Sequence, residues 1–96
     1  TVTTVPAGPT THSVSAELGV FNPASITIRA GDTIEWTNVT ATVHTVTSGI
    51  RLAPTPLFHK VLNPGDTVSY LFTNPGTYKY YCVPHSGMDG VIIVTD

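Results

Sequence analysis

The stretch that organises the rest of the chain is NPGTYKYYCVPHSGMDG, residues 74–90. It opens on a turn sequence, in which proline presets one backbone angle and glycine supplies a positive φ. Residues 77–82 then alternate with the period of a β-strand, which places Tyr78, Tyr80 and Cys82 on one face. Lys79 and Tyr81 fall on the other face. Because the Lys79 ammonium must reach water, we expect Cys82 to point inward and Tyr81 to lie on the outside.

Strand-like segments recur along the chain, and no segment shows helical spacing sustained over three turns. Besides residues 77–82, the alternating segments are residues 13–18, 25–29, 33–37, 43–47, 67–73 and 91–95. Asn-Pro-Gly turn sequences occupy residues 63–65 and 74–76. Short strands at this density predict an all-β fold, a Greek-key sandwich of about 7–8 strands.

The length of 96 residues leaves room for one domain. Residues 12–96 are predicted to form that single domain. Residues 1–11, TVTTVPAGPTT, carry no charge and are rich in threonine and proline. They are predicted to form either a flexible leader or an extension of the first strand.

Charge and cysteine content exclude several classes of protein. Charged residues make up 10 % of the chain and the formal net charge is −2, whereas binding nucleic acid through phosphates needs a basic face. The one cysteine excludes an internal disulfide and a four-thiolate zinc site. No apolar run approaches the ~20 residues that span a bilayer.

Potential metal ligands are concentrated directly after the 77–82 strand. Cys82, His85 and Met88 lie within seven residues, and His44 lies far upstream in an alternating segment. Thiolate, imidazole and thioether donors favour copper over magnesium, calcium or manganese. Two histidines and one cysteine with a distant methionine form the arrangement of electron-transfer copper sites. The sequence therefore predicts a copper site at His44, Cys82, His85 and Met88.

Each of these residues also has an ordinary structural explanation. A lone buried cysteine is most often a small hydrophobic residue, and Met88 and His44 would fit a packed core. The C-x-x-H-x-x-M spacing at the end of a strand favours the metal site over these explanations. His12 and His59 have no such spacing, and we interpret them as surface histidines.

The chain from residue 30 onward resembles the plastocyanin and amicyanin branch of the cupredoxins, the small blue copper proteins. The matching segments are GDTIEW at 31–36, HTV at 44–46, NPGD at 63–66, NPGTYKYYCVPH at 74–85 and MDG at 88–90. The resemblance implies a copper sandwich that passes single electrons and is not an enzyme. It makes His44, Cys82 and His85 the equatorial ligands and Met88 the axial one. The short His-x-x-Met spacing is similar to that of amicyanin.

The position after His44 departs from the family pattern, since Thr45 stands where many members carry asparagine. The Thr45 N–H can still donate to the Cys82 sulfur, but the bracing side-chain amide is missing. We therefore expect the ligand loop to be tied by the Thr45 hydroxyl or by nothing. Pro84 has no N–H, which removes one potential donor to the sulfur.

The resemblance also implies transient redox partner proteins, with no nucleic acid and no small-molecule substrate, and a monomeric carrier. Docking is expected around the exposed ring edge of His85, with Pro54, Pro56 and Leu57 of the other long loop nearby. Residues 49–60 are basic, which argues against docking through an acidic patch beside Tyr81. Copper loading and the leader fit an extracytoplasmic location, periplasmic or at the cell surface, with a membrane tether upstream.

Other functions remain open from the sequence alone. The chain could be a cupredoxin domain of a larger or membrane-anchored copper oxidoreductase, or a module for copper storage and delivery. A catalytic Cys82–His85 pair would need the histidine on a separate element with an orienting carboxylate, and it would leave Met88 unexplained. An adhesion sandwich would make the ligand cluster accidental.

Overall fold

The computed structural model describes residues 8–96, so residues 1–7 of the predicted leader lie outside the described part. Within that part the regular structure is entirely β, and no helix is present that could cross a membrane. Its nine strands are β1 (Thr11–Ala16), β2 (Phe21–Asn22), β3 (Ser25–Arg29), β4 (Thr33–Asn38), β5 (His44–Ile50), β6 (Ala53–Leu62), β7 (Thr67–Leu71), β8 (Gly76–Tyr81) and β9 (Asp89–Thr95).

The strands form two sheets that face each other, as the alternating pattern predicts. One sheet has the order β2-β1-β4-β7 and the other the order β3-β9-β8-β5-β6. β1 pairs with β4 and β3 with β9 in parallel, and the remaining pairs are antiparallel. The all-β sandwich is confirmed.

The core lies between the sheets and is built around aromatic side chains. Along β4 every second residue is buried, so that Ile34 and Trp36 point inward. The Trp36 ring meets the Tyr80 ring of the opposite sheet edge-on, with centroids 5.4 Å apart. Cys82, two residues beyond Tyr80, is fully buried, which confirms its predicted inward direction.

One local prediction is wrong, and a second is only partly right. Residues 53–62 form the strand β6 and not a loop, although Pro54 and Pro56 lie within it. Proline is tolerated there because β6 is the edge strand of its sheet and, within residues 8–96, pairs only with β5. Tyr81 lies on the outer side of β8 but is only 6 % exposed, because the Arg51 guanidinium covers its ring at 4.9 Å from the centroid.

Candidate metal centre

Three of the four predicted ligands converge at one end of the sandwich. His44 begins β5, whereas Cys82 and His85 lie in the loop of residues 82–88 that joins β8 to β9, here called the ligand loop. The Cys82 sulfur lies 3.5 Å from His44 Nδ1 and 3.2 Å from His85 Nδ1. The donor atoms of all three residues lie within 4.8 Å of one another. Residues far apart in sequence are thus brought into metal-binding range.

Met88, the fourth predicted ligand, lies at the end of the same loop. Its side chain is fully buried. Its carbonyl accepts a hydrogen bond from the Cys82 N–H at 2.9 Å, and its N–H donates to the His85 carbonyl at 3.3 Å. The ligand loop therefore closes on itself, with Met88 directly beside Cys82 along the backbone.

The orientation of the His44 ring is fixed by two residues that the sequence did not point to. His44 Nε2 lies 3.0 Å from the Thr40 hydroxyl, which donates to Asn38 Oδ1 at 2.7 Å. The hydroxyl is therefore left to accept from His44 Nε2–H, and Nδ1 faces Cys82 without a proton. Asn38 is buried and its amide donates to the Leu62 carbonyl at 3.0 Å. An Asn-x-Thr sequence ahead of His44 was the only signal of this arrangement.

Burial favours the metal-binding form of His44. The pKa of His44 lies below its ordinary value of 6.5. Desolvation of the buried ring is the larger cause, and the neighbouring charge of His85 is the smaller one. The imidazole consequently stays neutral at neutral pH, with a lone pair available on Nδ1. His85 is half-buried, and its ring centroid lies 4.6 Å from that of His44.

The predicted role of Thr45 is confirmed. Its N–H donates to the Cys82 sulfur at 3.4 Å, and its hydroxyl accepts from the Val83 N–H at 2.9 Å. The same hydroxyl lies 3.0 Å from the Thr47 hydroxyl, which in turn contacts His59 Nδ1 at 2.8 Å. A side-chain hydroxyl therefore ties the ligand loop to β5.

Of the two histidines that were interpreted as surface residues, His59 is exposed and His12 is half-buried. His12 pairs with Asp32, near the start of β4, at 2.9 Å. Neither residue joins the ligand cluster.

Arg51, at the tip of the β5–β6 hairpin, is a second tie that sequence reasoning missed. Its guanidinium donates to the carbonyls of Cys82 and Val83, each at 3.0 Å, and to that of His85 at 2.8 Å. The sequence showed only that the segment around Arg51 is basic. Long-range contacts of one flexible side chain leave no pattern in a sequence.

The neighbours of His85 within the ligand loop are uncharged, and the Arg51 guanidinium lies beside them. The exposed neighbours in the loop are Val83, Pro84, Ser86 and Gly87. Of the residues expected to add to this surface, Leu57 lines a groove with Thr77 and Lys79, in the first part of β8. Cys82 follows the other end of that strand.

Comparisons with known proteins agree with this geometry. The family profile described as "Copper binding proteins, plastocyanin/azurin family" matches residues 10–95. The chain belongs to this family. A plastocyanin from Scenedesmus fuscus is 36 % identical over 84 residues, which cover 78 % of this chain and 86 % of the relative. A plastocyanin from Synechococcus sp. (strain JA-2-3B'a(2-13)) is 40 % identical over 86 residues, which cover 78 % of this chain and 63 % of the relative.

Solved structures of cupredoxins share the fold. A novel purple cupredoxin from Nitrosopumilus maritimus superposes with a TM-score of 0.80 and 28 % identity, covering 86 % of this chain and 98 % of that protein. An amicyanin mutant in its reduced state gives a TM-score of 0.76 and 27 % identity, covering 94 % of this chain and 85 % of amicyanin. The chain spans 58 % of the chloroplastic plastocyanin of Tetradesmus obliquus, so that relative is substantially longer.

The residues of this plastocyanin/azurin family member fit a copper ion. The centre combines one buried sulfur with two imidazole nitrogens, and a buried thioether residue ends the same loop. This mixture of soft and borderline donors is the one that copper prefers. The neutral His44 ring and the N–H of Thr45 aimed at the sulfur suit a bound metal.

Proposed function

We propose that the protein is a one-electron carrier with a mononuclear type 1 copper site. His44, Cys82 and His85 would be the equatorial ligands and Met88 the axial ligand. The observation that carries the proposal is the buried Cys82 sulfur, which lies within 3.5 Å of one imidazole nitrogen and 3.2 Å of another. Bound copper would supply the Cu(I)/Cu(II) couple, which the side chains of the protein lack.

The chain's own residues suit such a couple because they are held in place before any metal binds. His44 is fixed by Thr40 and by packing in β5, and the Cys82 sulfur accepts the N–H of Thr45 at 3.4 Å. Ligands that move little between two oxidation states keep the reorganisation that accompanies electron transfer small. The two sheets supply this rigidity, since His44 and Cys82 are both 0 % exposed.

Electrons would enter and leave through His85. Among the four proposed ligands, His44, Cys82 and Met88 are fully buried, whereas His85 is half-buried. Exposed Val83 and Pro84 beside it, together with the adjoining Arg51 guanidinium, offer an apolar surface with one positive charge for a transient redox partner. In the copper protein, electron self-exchange measured by NMR line broadening should slow in Val83→Asp, because the new carboxylates repel each other. An unchanged rate would place docking elsewhere.

The first experiment is the visible spectrum of the purified copper-free protein after addition of Cu(II). An intense thiolate-to-copper band should form, bleach with dithionite and return in air. The variant Cys82→Ser should not show this band when Cu(II) is added, while its far-UV circular dichroism stays that of a folded β-sandwich. A pale wild-type product, or an intense band that persists in Cys82→Ser, would overturn the proposal.

Copper storage or delivery is the second candidate, but burial argues against it. A delivery site must release its ion to a partner, whereas three of the proposed ligands here are fully buried. Transfer of Cu(I) to a chelator within seconds would favour delivery, and retention for hours would favour the carrier. The same assays apply if the chain is one domain of a larger or membrane-anchored copper oxidoreductase.

We also propose that residues 12–96 act as a single, monomeric, extracytoplasmic domain. The chloroplastic plastocyanins of Tetradesmus obliquus and Hordeum vulgare, 34 % and 35 % identical to this chain, support a compartment outside the cytoplasm. Sedimentation of the purified chain as a dimer would contradict the monomer. Recovery of the native protein in a cytoplasmic fraction would contradict the location, and release of the protein without detergent would contradict a membrane tether.

A further inference from the structure

The β5–β6 hairpin is bent so that its tip reaches the ligand loop. The pairing of β5 with β6 shifts between Thr47 and Gly49, which marks a β-bulge. Gly49 has a φ of +97°, and a Cβ at this position would collide with the backbone of Ala53 and Thr55. Only glycine allows this close approach. Arg51 follows two residues after Gly49, and its side chain lies over the Tyr81 ring on the outer side of β8.

Arg51 occupies three backbone acceptors of the ligand loop at once. One Nη donates to the Val83 carbonyl, and the other to the carbonyls of Cys82 and His85, at distances between 2.8 and 3.0 Å. The planar guanidinium fork fixes the relative positions of these carbonyls in a way that a single ammonium cannot. On its other side the guanidinium stacks on Tyr81 at 4.9 Å, which holds the fork in place.

The ligand loop has only weak internal bonds at the same points. The His85 N–H reaches the Cys82 carbonyl at 3.4 Å, and the Met88 N–H reaches the His85 carbonyl at 3.3 Å. Both distances are longer than usual for backbone hydrogen bonds. The bonds from Arg51 to the same two carbonyls are shorter and charge-assisted, and such bonds are stronger than neutral ones.

We propose that Arg51 is a positioning residue of the metal centre: its guanidinium holds the ligand loop in its metal-binding shape and places a permanent positive charge beside Cys82 and His85. Its bracing role concerns the protein without metal. Its effect on redox behaviour rests on the proposed function. A fixed positive charge next to the ligands favours the oxidation state in which the site carries less positive charge, and so raises the reduction potential.

The bracing role is tested in the copper-free protein by amide hydrogen exchange. In Arg51→Gln, the Val83 and Met88 amides should exchange at least about tenfold faster, because the three charge-assisted bonds that hold the ligand loop are lost. Amides of β9 should keep their rates. Lys79→Gln is the matched control, because it removes the same charge from an exposed site on β8.

Arg51→Lys keeps the positive charge but removes the planar guanidinium, so it tests the two separately. The single ammonium nitrogen of lysine cannot occupy the positions of both Nη atoms, so the loop amides should still exchange severalfold faster than in the wild type. In the copper-loaded proteins, Arg51→Gln should lower the reduction potential and shift the visible band, while Arg51→Lys should retain most of the wild-type potential. Lys79→Gln should leave both readouts almost unchanged.

Three results would overturn the proposal. The first is that the ligand-loop amides of Arg51→Gln exchange at the same rate as those of the wild type or of Lys79→Gln. The second is full restoration of slow exchange by Arg51→Lys, which would make the fork irrelevant. The third is an equal change of potential in Arg51→Gln and Lys79→Gln, which would make the position of the charge irrelevant. Because exchange is measured without copper, this test stands even if the protein forms no blue site.

Discussion

The two ends of the sandwich are held by different chemistry. At the ligand end, an amide (Asn38), a hydroxyl (Thr45) and a guanidinium (Arg51) satisfy the backbone and orient the proposed ligands. At the opposite end, one carboxylate, Asp32, gathers the chain. Amides and hydroxyls do not titrate in water, and a guanidinium stays charged. The supports of the metal centre are therefore insensitive to pH, whereas the far end depends on a group that acid neutralises.

The Asp32 carboxylate accepts hydrogen bonds from three separate segments of the chain. It accepts from the Thr10 N–H at 2.9 Å, the Arg29 N–H at 3.1 Å and His12 Nε2 at 2.9 Å. These bonds connect the starts of β1 and β4 with the end of β3. The backbone bond from Thr10, followed by the bonds from His12 and Arg29, lowers the pKa of Asp32 from 3.8 to about 2.

The largest effect at the ligand end is expected from Asn38→Ala. It leaves the buried Leu62 carbonyl without its side-chain donor and removes the acceptor of the Thr40 N–H. Unsatisfied buried polar groups cost about 1–3 kcal/mol each, so the free energy of unfolding should fall by about 3 kcal/mol. Urea denaturation of the copper-free protein measures this loss.

Asn22→Ala is the matched control for that experiment, because Asn22 is exposed and its amide bonds only to Glu17. It should change the free energy of unfolding by less than about 0.5 kcal/mol. Equal losses in the two variants would show that the Asn38 amide is not a special support of the ligand end. The ligand end would then not depend on a buried side-chain amide for its stability.

The features that could be predicted from sequence are those that depend on residues close together in the chain. Alternation identified β4 and β8, because a period of two is a local property of a strand. The spacing of Cys82 and His85 identified the ligand loop for the same reason. β6 was missed because proline normally excludes a strand, and only the sheet order reveals that Pro54 lies in an edge strand.

The supports of the site were less predictable than its proposed ligands. Thr45 was predicted because it is adjacent to His44 and replaces a residue with a known bracing role. Arg51 lies 31 positions from Cys82 and reaches it only through the bend at Gly49. The alternating pattern of β8 correctly placed the Tyr81 ring on the outer face. It could not show that the ring is buried, because the Arg51 side chain that covers it comes from another part of the chain.

The opposite end should respond to acid. Because the folded-state pKa of Asp32 lies below its ordinary value, its ionised form stabilises the fold. That contribution is complete above the ordinary pKa of 3.8 and is lost as the pH falls toward about 2. Asp32→Asn should therefore flatten the decline of the unfolding free energy across this window. Urea titrations of the copper-free protein at several pH values measure the slope.

Glu35→Gln, which removes a carboxylate from β4, is the control for the acid experiment. This variant leaves the hydrogen bonds to Asp32 intact, so the decline in unfolding free energy that depends on the Asp32 cluster should persist. If Asp32→Asn kept the wild-type slope, acid sensitivity would not come from this cluster. The Asp32 end of the sandwich would then be no more sensitive to acid than the ligand end.

The smallest change in stability is expected from Thr45→Val, which sharpens the comparison within the ligand end. Valine keeps the shape of threonine but removes the acceptor of the Val83 N–H, at a cost of about 1 kcal/mol. The Thr45 N–H that points at the Cys82 sulfur is retained. The free energy of unfolding should therefore fall by only about 1 kcal/mol, while amide exchange at Val83 in the copper-free protein should rise several-fold.

Thr37→Val tests whether that response is specific to the ligand loop. The Thr37 hydroxyl contacts Thr67 on the exposed side of the other sheet, so its removal deletes the same chemical group away from the site. Exchange at Val83 should stay at the wild-type rate in this variant. If Thr45→Val also left that rate unchanged, Arg51 alone would brace the loop, and the hydroxyl of Thr45 would serve the packing of β5.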